Sequence, residues 1–135
     1  MRFLYFAYGM NTNSTAMFES CSRLGRARLL NYSWEMLQFA NVYPTEKSTY
    51  GVLWDIDQGT LDYLDRREGY PYFYDRVVTD VEHDGEIKKA IVYTLTDKSR
   101  VSYSNFEASQ SYIDMVTEGL LEDGMRIGAN KIELI

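Results

Sequence analysis

The chain has 135 residues, 45% hydrophobic and 25% charged, which predicts a single domain over residues 1–135 with one sizeable core. Its 14 lysines and arginines against 20 aspartates and glutamates give a net charge of −6, so binding to nucleic acid or to an anionic membrane surface is not expected. One cysteine, Cys21, excludes an internal disulfide bond and fits a reducing, cytoplasmic location. The 12 tyrosines, 6 phenylalanines and 2 tryptophans predict a core or pocket lined by rings.

The chain opens with a stretch that predicts a buried strand. Residues 3 to 8 are apolar or aromatic without a break, which is typical of a strand buried on both faces. Gly9 ends the run and Asn11 follows with further polar residues, so neither a signal peptide nor a membrane span is expected here. A strand that breaks at a glycine leaves backbone N–H groups that can bind a carboxylate or phosphate, although an ordinary strand and turn explains the same residues.

Between residues 12 and 55 the pattern predicts strands and loops. Thr12 to Ser20 is a short, weak helix candidate, and the partial alternation from Gly25 to Gln38 predicts one or two strands. Residues 41–48 contain Pro44 among polar neighbours, which predicts a loop. Tyr50 to Asp55 predicts a short buried strand.

The helix signals are clearest directly after that strand. Gln58 to Glu68 predicts a helix of about three turns. Asp57 is expected to cap its first turn, and Gly69 is expected to cap its end.

A hairpin and a helix are predicted in the second half of the chain. Tyr74 to Glu82 and Ile87 to Leu95 are rich in β-branched and aromatic residues, and Asp84-Gly85 lies at the reversal. Residues 96–104 are polar and predict a loop. Ser109 to Glu122 has apolar residues at helical spacing and predicts the last helix.

These elements together predict the fold class. Lys131 to Ile135 adds a short strand or a docked tail. Strands outnumber the helices, and the helices fall between them. This order predicts an α+β domain, built on a curved mixed sheet or small β-barrel with a few flanking helices.

Glu68 is the carboxylate that we expect to carry chemistry. It is the last residue of the predicted helix, where the negative end of the helix dipole raises the pKa of a carboxylate. A general base that works near neutral pH requires such a raised pKa. Arg66 and Arg67 would lower the pKa if they pointed toward it, and from the position alone a solvated glutamate at a helix end is the better explanation.

Two segments resemble the γ-glutamylcyclotransferase family. Tyr5-Phe6-Ala7-Tyr8-Gly9-Met10-Asn11 resembles the Tyr-Gly-Ser-Asn signature that opens the family, and residues 61–69 resemble the Leu-Asp-x-x-Glu-Gly segment that carries its catalytic glutamate. The preceding strand, the following hairpin and Tyr112, which opens the last helix, extend the resemblance over most of the chain in the same order. The glutamate segment alone is a weak signal, whereas the two motifs at this spacing are a strong one.

The resemblance implies an intramolecular reaction of a small γ-glutamyl substrate. The α-amine attacks the side-chain amide carbonyl, and the products are 5-oxoproline and a free amine. No cofactor or metal is implied, since the nucleophile belongs to the substrate. The resemblance assigns Glu68 as general acid and base, and it assigns substrate contacts to Tyr5, Phe6, Ala7, Tyr8, Gly9, Met10, Asn11 and Tyr112.

The chain departs from the family pattern at two positions. Met10 stands where the family usually has serine, and Thr12 where it usually has leucine. A main-chain contact at position 10 would tolerate methionine, whereas a hydroxyl contact would not. Tyr112 is explained equally well as the first core residue of an amphipathic helix.

Other candidate residues have simpler explanations. His83 precedes Asp84-Gly85 at a hairpin tip and is expected to be exposed. Cys21 fits a small buried residue. The acidic residues between positions 55 and 65 fit helix capping and a solvated helix face better than a metal site.

Two further functions stay open at this point. A non-catalytic module of the same fold would bind a small molecule or a protein. A cyclotransferase could also remove γ-glutamyl groups from a larger amine, with residues 41–49 and 96–108 forming the walls around the leaving group. The sequence does not indicate the oligomeric state.

Overall fold

A computed structural model describes residues 1–135, and five of its strands close into a barrel in the order β1-β3-β2-β4-β5. These strands are β1 Arg2–Ala7, β2 Ser22–Met36, β3 Ala40–Asp57, β4 Tyr74–His83 and β5 Glu86–Leu95. The helices are α1 Gln58–Arg67, α2 Asp97–Tyr103 and α3 Gln110–Leu121, and a small hairpin pairs β6 Met125–Ile127 with β7 Ile132–Leu134. The predicted α+β class, with a small mixed barrel and flanking helices, is confirmed.

The first strand is one of the five barrel strands, and its second half is buried, in keeping with its unbroken apolar run. β1 pairs antiparallel with β3 and parallel with β5, through Tyr5 and Ile91. Phe6 and Ala7 are almost fully buried. A Cβ atom at Gly51 of β3 would lie 2.4 Å from the Phe6 ring and 2.5 Å from the Ala7 carbonyl oxygen, so only glycine permits this close approach of β3 to β1.

The second and third strands form one long hairpin, and the loop predicted over residues 41–48 is wrong. β3 continues through this segment, pairing with β2 as far as Ala40. Pro44 pairs with Tyr32 beside an irregularity where Asn31 has a φ of 64°. Because β1 pairs only with residues 52–57 of β3, this part of the strand has one neighbouring strand, and proline is tolerated at such edges and bulges.

The predicted helix between β3 and β4 is confirmed together with both caps. The Asp57 carboxylate accepts a hydrogen bond from the backbone N–H of Thr60 at 2.8 Å. At the other end Gly69 has a φ of 66°, and the N–H of Tyr70 donates to the carbonyl of Asp65 at 2.9 Å. This is a Schellman ending, and it makes Glu68 the last residue with helical backbone angles.

The predicted hairpin of β4 and β5 is confirmed, but the expected exposure of His83 is wrong. Asp84 and Gly85 form the turn with φ values of 51° and 79°. His83 is only 7% exposed, because β4 also pairs with β2 and brings the hairpin tip against that strand. The His83 ring lies 3.0 Å from the carbonyl oxygen of Leu24 and 2.9 Å from Nζ of Lys88.

Two other local predictions are corrected. Residues 96–104 are not a loop but contain α2, whose first turn is capped by the Thr96 hydroxyl. Because the segment is polar, its helix is indicated in the sequence only by Thr96, a residue type that is favoured at the N-cap. The helix predicted over Thr12 to Ser20 is instead two short 3₁₀ turns, Met10–Thr12 and Ser14–Ala16.

Helix α3 packs against the first of these turns and fixes its position relative to the barrel. A Cβ atom at Gly119 would lie 2.4 Å from the backbone nitrogen of Asn13 and from the hydroxyl of Thr12. The Asn13 side chain donates to the carbonyl of Met115 at 3.0 Å. The predicted last helix is confirmed as α3, with Ser109 as its N-cap, and the last residues form β7. None of the helices is long and apolar enough to cross a membrane.

Candidate active site

A cavity of about 430 Å³ opens between the turn that follows β1 and the last turn of α1. Its walls come from β1, the turn after it, the β2–β3 connection, α1 and the segment that follows, β5, α2 and α3. The lining residues are Tyr5, Tyr8, Gly9, Met10, Asn11, Phe39, Ala40, Arg66, Arg67, Glu68, Gly69, Phe73, Tyr74, Tyr93, Tyr103 and Tyr112.

Glu68 supplies the carboxylate of this cavity. Its backbone N–H donates to the carbonyl of Leu64 at 2.8 Å, which holds it on the helix end. Its carboxylate makes no hydrogen bond to the protein. Burial raises the pKa of Glu68, and the nearby Arg67 guanidinium opposes this in part. The group is therefore a base whose affinity for a proton exceeds that of an ordinary glutamate.

Tyr112 and Gly9 lie against each other in the wall of the cavity. The Tyr112 hydroxyl accepts a hydrogen bond from the backbone N–H of Ala40 at 3.1 Å. A Cβ atom at Gly9 would lie 2.8 Å from this hydroxyl, so the absence of a side chain at position 9 makes room for the ring. Burial raises the pKa of Tyr112 to about 12, so its hydroxyl keeps a proton that it can donate.

Hydrogen bonds connect three residues that line the cavity, Tyr5, Asn11 and Arg67. The Asn11 amide donates to the Tyr5 hydroxyl at 2.9 Å and accepts from Arg67 at 3.2 Å. Another nitrogen of the Arg67 guanidinium lies 3.1 Å from the sulfur of Met10. The Trp54 indole donates to the carbonyl of Asn11 at 2.9 Å. These contacts hold the turn after β1 and the end of α1 together.

Asp65 connects the same helix to the barrel. It lies one turn before Glu68 and accepts a hydrogen bond from the Tyr93 hydroxyl of β5 at 2.6 Å. Its other oxygen pairs with Arg76 of β4, whose guanidinium lies 4.6 Å from the centre of the Tyr70 ring. The orientation of α1, and with it that of Glu68, is therefore fixed by two barrel strands.

The cavity has a buried end with hydroxyl groups and an exposed end with aromatic rings. Tyr5, Tyr8 and Tyr74 are at most 9% exposed, and burial raises the pKa of each of their hydroxyls. At the other end the Phe39 ring packs edge-on against Tyr103 and Tyr112, with ring centres 5.2 and 5.4 Å apart. Phe73, another ring that lines the cavity, is 55% exposed and lies against Gly69. A ligand with one polar and one apolar end fits this gradient.

Comparison with known proteins identifies the family. The sequence model of the family described as gamma-glutamyl cyclotransferase, AIG2-like, matches residues 5–113. The chain belongs to this family. The match includes every wall of the cavity, from the turn after β1 to Tyr112.

Solved structures of low sequence identity share the fold of this cyclotransferase-family chain. One named gamma-glutamyl cyclotransferase is 22% identical with a TM-score of 0.76, and the match covers 92% of this chain and 81% of the other. YkqA from Bacillus subtilis is 24% identical with a TM-score of 0.72, covering 90% and 49%. An AIG2-like protein from Mus musculus is 20% identical with a TM-score of 0.64, covering 83% and 88%. No curated protein matches the chain.

The structure brings most of the predicted site residues of this family member into one cavity. Those that line it are Glu68, Tyr5, Tyr8, Gly9, Met10, Asn11 and Tyr112. Phe6 and Ala7 do not line it, because they are 0% and 1% exposed within the core. Their predicted substrate contacts are therefore replaced by core packing against β3.

The predicted walls around the leaving group are only partly in place. Tyr103 from the 96–108 segment lines the cavity. From the 41–49 segment, residues 41–44 line a separate cavity of about 340 Å³ instead, and the wall is formed by the preceding Phe39 and Ala40. Tyr93, Phe39 and Phe73 were missed, since only their aromatic type, common throughout this chain, could have indicated them.

Proposed function

We propose that the protein is a γ-glutamylcyclotransferase that converts a γ-glutamyl amine into 5-oxoproline and the free amine. One observation carries the proposal. Glu68, a carboxylate with a raised pKa and no hydrogen bond to the protein, shares a cavity with the turn formed by Gly9, Met10 and Asn11. The cavity thus offers a base beside a group of main-chain donors, which is what ring closure of a γ-glutamyl group requires.

The proposed reaction needs no nucleophile from the protein. The α-nitrogen of the substrate forms a bond to the γ-carbonyl carbon, and the bond from that carbon to the leaving nitrogen breaks. Two protons pass from the α-ammonium to the leaving nitrogen, and the third stays on the ring, so no water or cofactor is consumed. The cavity supplies the folded conformation in which amine and carbonyl meet.

Glu68 is proposed to carry both protons. As a carboxylate it accepts a proton from the α-ammonium, and as a carboxylic acid it donates that proton to the leaving nitrogen. Its raised pKa supports the first step, because a carboxylate whose pKa is raised is a stronger base.

The developing oxyanion is proposed to be bound by hydroxyl and main-chain donors. The Tyr112 hydroxyl already accepts from the N–H of Ala40, so its own proton is available to the substrate. The Tyr5 hydroxyl likewise accepts from Asn11 and keeps its proton for donation. Preorganised donors of this kind stabilise charge that appears only in the transition state.

The released amine is proposed to leave from the aromatic end of the cavity. Phe39 and Tyr103 pack against each other at that end. A leaving group with an apolar or aromatic body covers these rings better than a small polar one.

The test is release of 5-oxoproline from a panel of γ-glutamyl amines and amino acids, with Glu68→Gln alongside. We expect turnover by the parent protein and a fall in kcat/KM of at least about 100-fold in the variant, since this is the lower range for loss of a general acid or base. Glu46→Gln, which removes an exposed glutamate, is the matched control and should retain activity. Binding of the panel compounds without turnover would favour the non-catalytic module instead.

A further inference from the structure

We propose that Arg67 binds the α-carboxylate of the substrate and, together with Glu68, orients the γ-glutamyl group for ring closure. This proposal rests on the proposed function and assigns a role to a residue that the family signature leaves unspecified. The two side chains would recognise the two charges on the α-carbon of the substrate.

The first observation is that the Arg67 guanidinium is half-buried and has no carboxylate oxygen within 4.0 Å. Six of the nine arginines lie within 4.0 Å of a carboxylate oxygen, namely Arg2, Arg23, Arg28, Arg76, Arg100 and Arg126. Of the other three, Arg26 and Arg66 are exposed to solvent, whereas Arg67 is half-buried. Arg67 is therefore the one arginine that is withdrawn from solvent without a carboxylate partner in the protein.

The second observation is the direction of this guanidinium. It lines the cavity, donating to Asn11 at 3.2 Å and lying 3.1 Å from the Met10 sulfur. A guanidinium has five N–H donors, and an uncharged amide oxygen and a thioether use two of them, the second weakly. Three donors remain on a cation whose side chain lines the cavity, and paired guanidinium donors are suited to a carboxylate.

The third observation is the complementarity of charge. The α-carbon of a γ-glutamyl group carries one carboxylate and one ammonium, and withdrawing either from water is costly unless it is paired. Glu68 and Arg67 are consecutive residues that line the same cavity. A carboxylate held by Arg67 would leave the ammonium to face Glu68, which is the group that must take its proton.

The experiment compares two substrates that differ only in the α-carboxylate. An N-substituted γ-glutamyl amide yields 5-oxoproline, and the same amide of 4-aminobutanoic acid yields 2-pyrrolidinone through the same ring closure, releasing the same amine. We expect the parent protein to prefer the first substrate in kcat/KM. Arg67→Gln should reduce that preference on the order of 10- to 100-fold, the range for hydrogen bonds to a charged group.

Two variants separate carboxylate binding from a structural role. Arg26→Gln removes the same charge from an exposed position that does not line the cavity, so it should leave the ratio between the substrates unchanged. Arg67→Lys keeps the charge but loses the fork of donors, so it should restore part of the preference. Equal losses for both substrates in Arg67→Gln would overturn the proposal, because a merely structural arginine would affect them alike.

A pH profile gives a second readout. Arg67 lowers the pKa of Glu68, so its removal should move the acidic limb of the kcat/KM profile to higher pH. An acidic limb that stays in place would contradict the orientation of Arg67 toward the site.

A binding measurement keeps this proposal separate from the proposed function. In Glu68→Gln, calorimetry would compare the affinities of the two substrates with those in Glu68→Gln/Arg67→Gln. Tighter binding of the carboxylated compound, lost in the double variant, would support the role of Arg67 even if the parent protein showed no turnover. An equal preference in both variants, or binding of neither compound, would overturn it.

Discussion

Glu68 illustrates how one residue gains its chemistry from its position. It is the last helical residue of α1, where the helix dipole disfavours a negative charge, and it is partly buried in the cavity. Burial raises the pKa of its carboxylate above the ordinary value. The burial that raises this pKa suits a general base, but it also means that ionised Glu68 lowers the stability of the folded state.

We therefore expect Glu68→Gln to be more stable than the parent protein at neutral pH. The pKa of Glu68 is higher in the folded chain than in the unfolded chain, so its contribution to stability is fully present below the unfolded pKa and is lost as the pH rises through the folded pKa. Each unit of difference corresponds to about 1.4 kcal/mol. Urea unfolding at pH 7 and at about pH 4 should show a gain for the variant only at pH 7.

The exposed Glu46 supplies the control for this measurement, since Glu46→Gln removes the same charge outside any cavity. A gain of the same size in both variants would mean that net charge, and not burial of Glu68, causes it. A loss of stability in Glu68→Gln at pH 7 would contradict the raised pKa.

At the scale of elements, the position of the site depends on the contact between α3 and the turn after β1. Gly119 allows that contact, because the backbone nitrogen of Asn13 would lie 2.4 Å from any Cβ atom at position 119. Tyr112, which lies two turns earlier in the same helix, then reaches the space above Gly9. One close contact between a helix and a turn thus places the Tyr112 hydroxyl in the cavity wall.

Gly119→Ala should therefore lower both stability and activity, although alanine is the better helix former. The added methyl group must push α3 away from backbone atoms, and overpacking of this kind typically costs about 1–3 kcal/mol. Gly59→Ala in α1 is the matched control, because its Cβ atom would meet only the Asp57 carboxylate at 3.9 Å. The test is to measure thermal unfolding and kcat/KM for both variants. If Gly119→Ala kept the stability and activity of the parent protein, α3 would be able to shift freely.

The elements that sequence predicted correctly are those whose signals are local. The capped helix α1 and the hairpin at Asp84-Gly85 depend on residues next to each other in the chain, and both are confirmed. The exposure of His83 and the loop over residues 41–48 were wrong because contacts between distant segments decide them. The aromatic content predicted a core or pocket lined by rings, but the partners of Arg67 and the contributions of Phe39 and Phe73 to the cavity could not be predicted, for the same reason.

At the scale of the whole molecule, the aromatic end of the cavity exists only in the assembled fold. Phe39 comes from the β2–β3 connection, Tyr103 from α2 and Tyr112 from α3. The buried end, in contrast, is formed mainly by residues of one barrel strand and the turn that follows it. Tyr112 links the two ends, because its ring packs against Phe39 and its hydroxyl lies beside Gly9. We therefore expect Phe39 and Tyr103, rather than Tyr112, to be the positions at which the aromatic end can change while the buried end stays the same.

Phe39→Ala tests whether the aromatic end of the cavity selects the leaving group. The Phe39 ring contacts both Tyr103 and Tyr112, and an aromatic pair contributes about 0.5–1.5 kcal/mol, so we expect a loss of about 2- to 12-fold in kcat/KM for γ-glutamyl phenethylamide relative to γ-glutamyl methylamide. Phe106→Ala removes an exposed ring that follows α2 but does not line the cavity, and it should leave this ratio unchanged. If Phe39→Ala instead affected both amides equally, its role would be to support the Tyr112 hydroxyl, and the aromatic end would not select the leaving group.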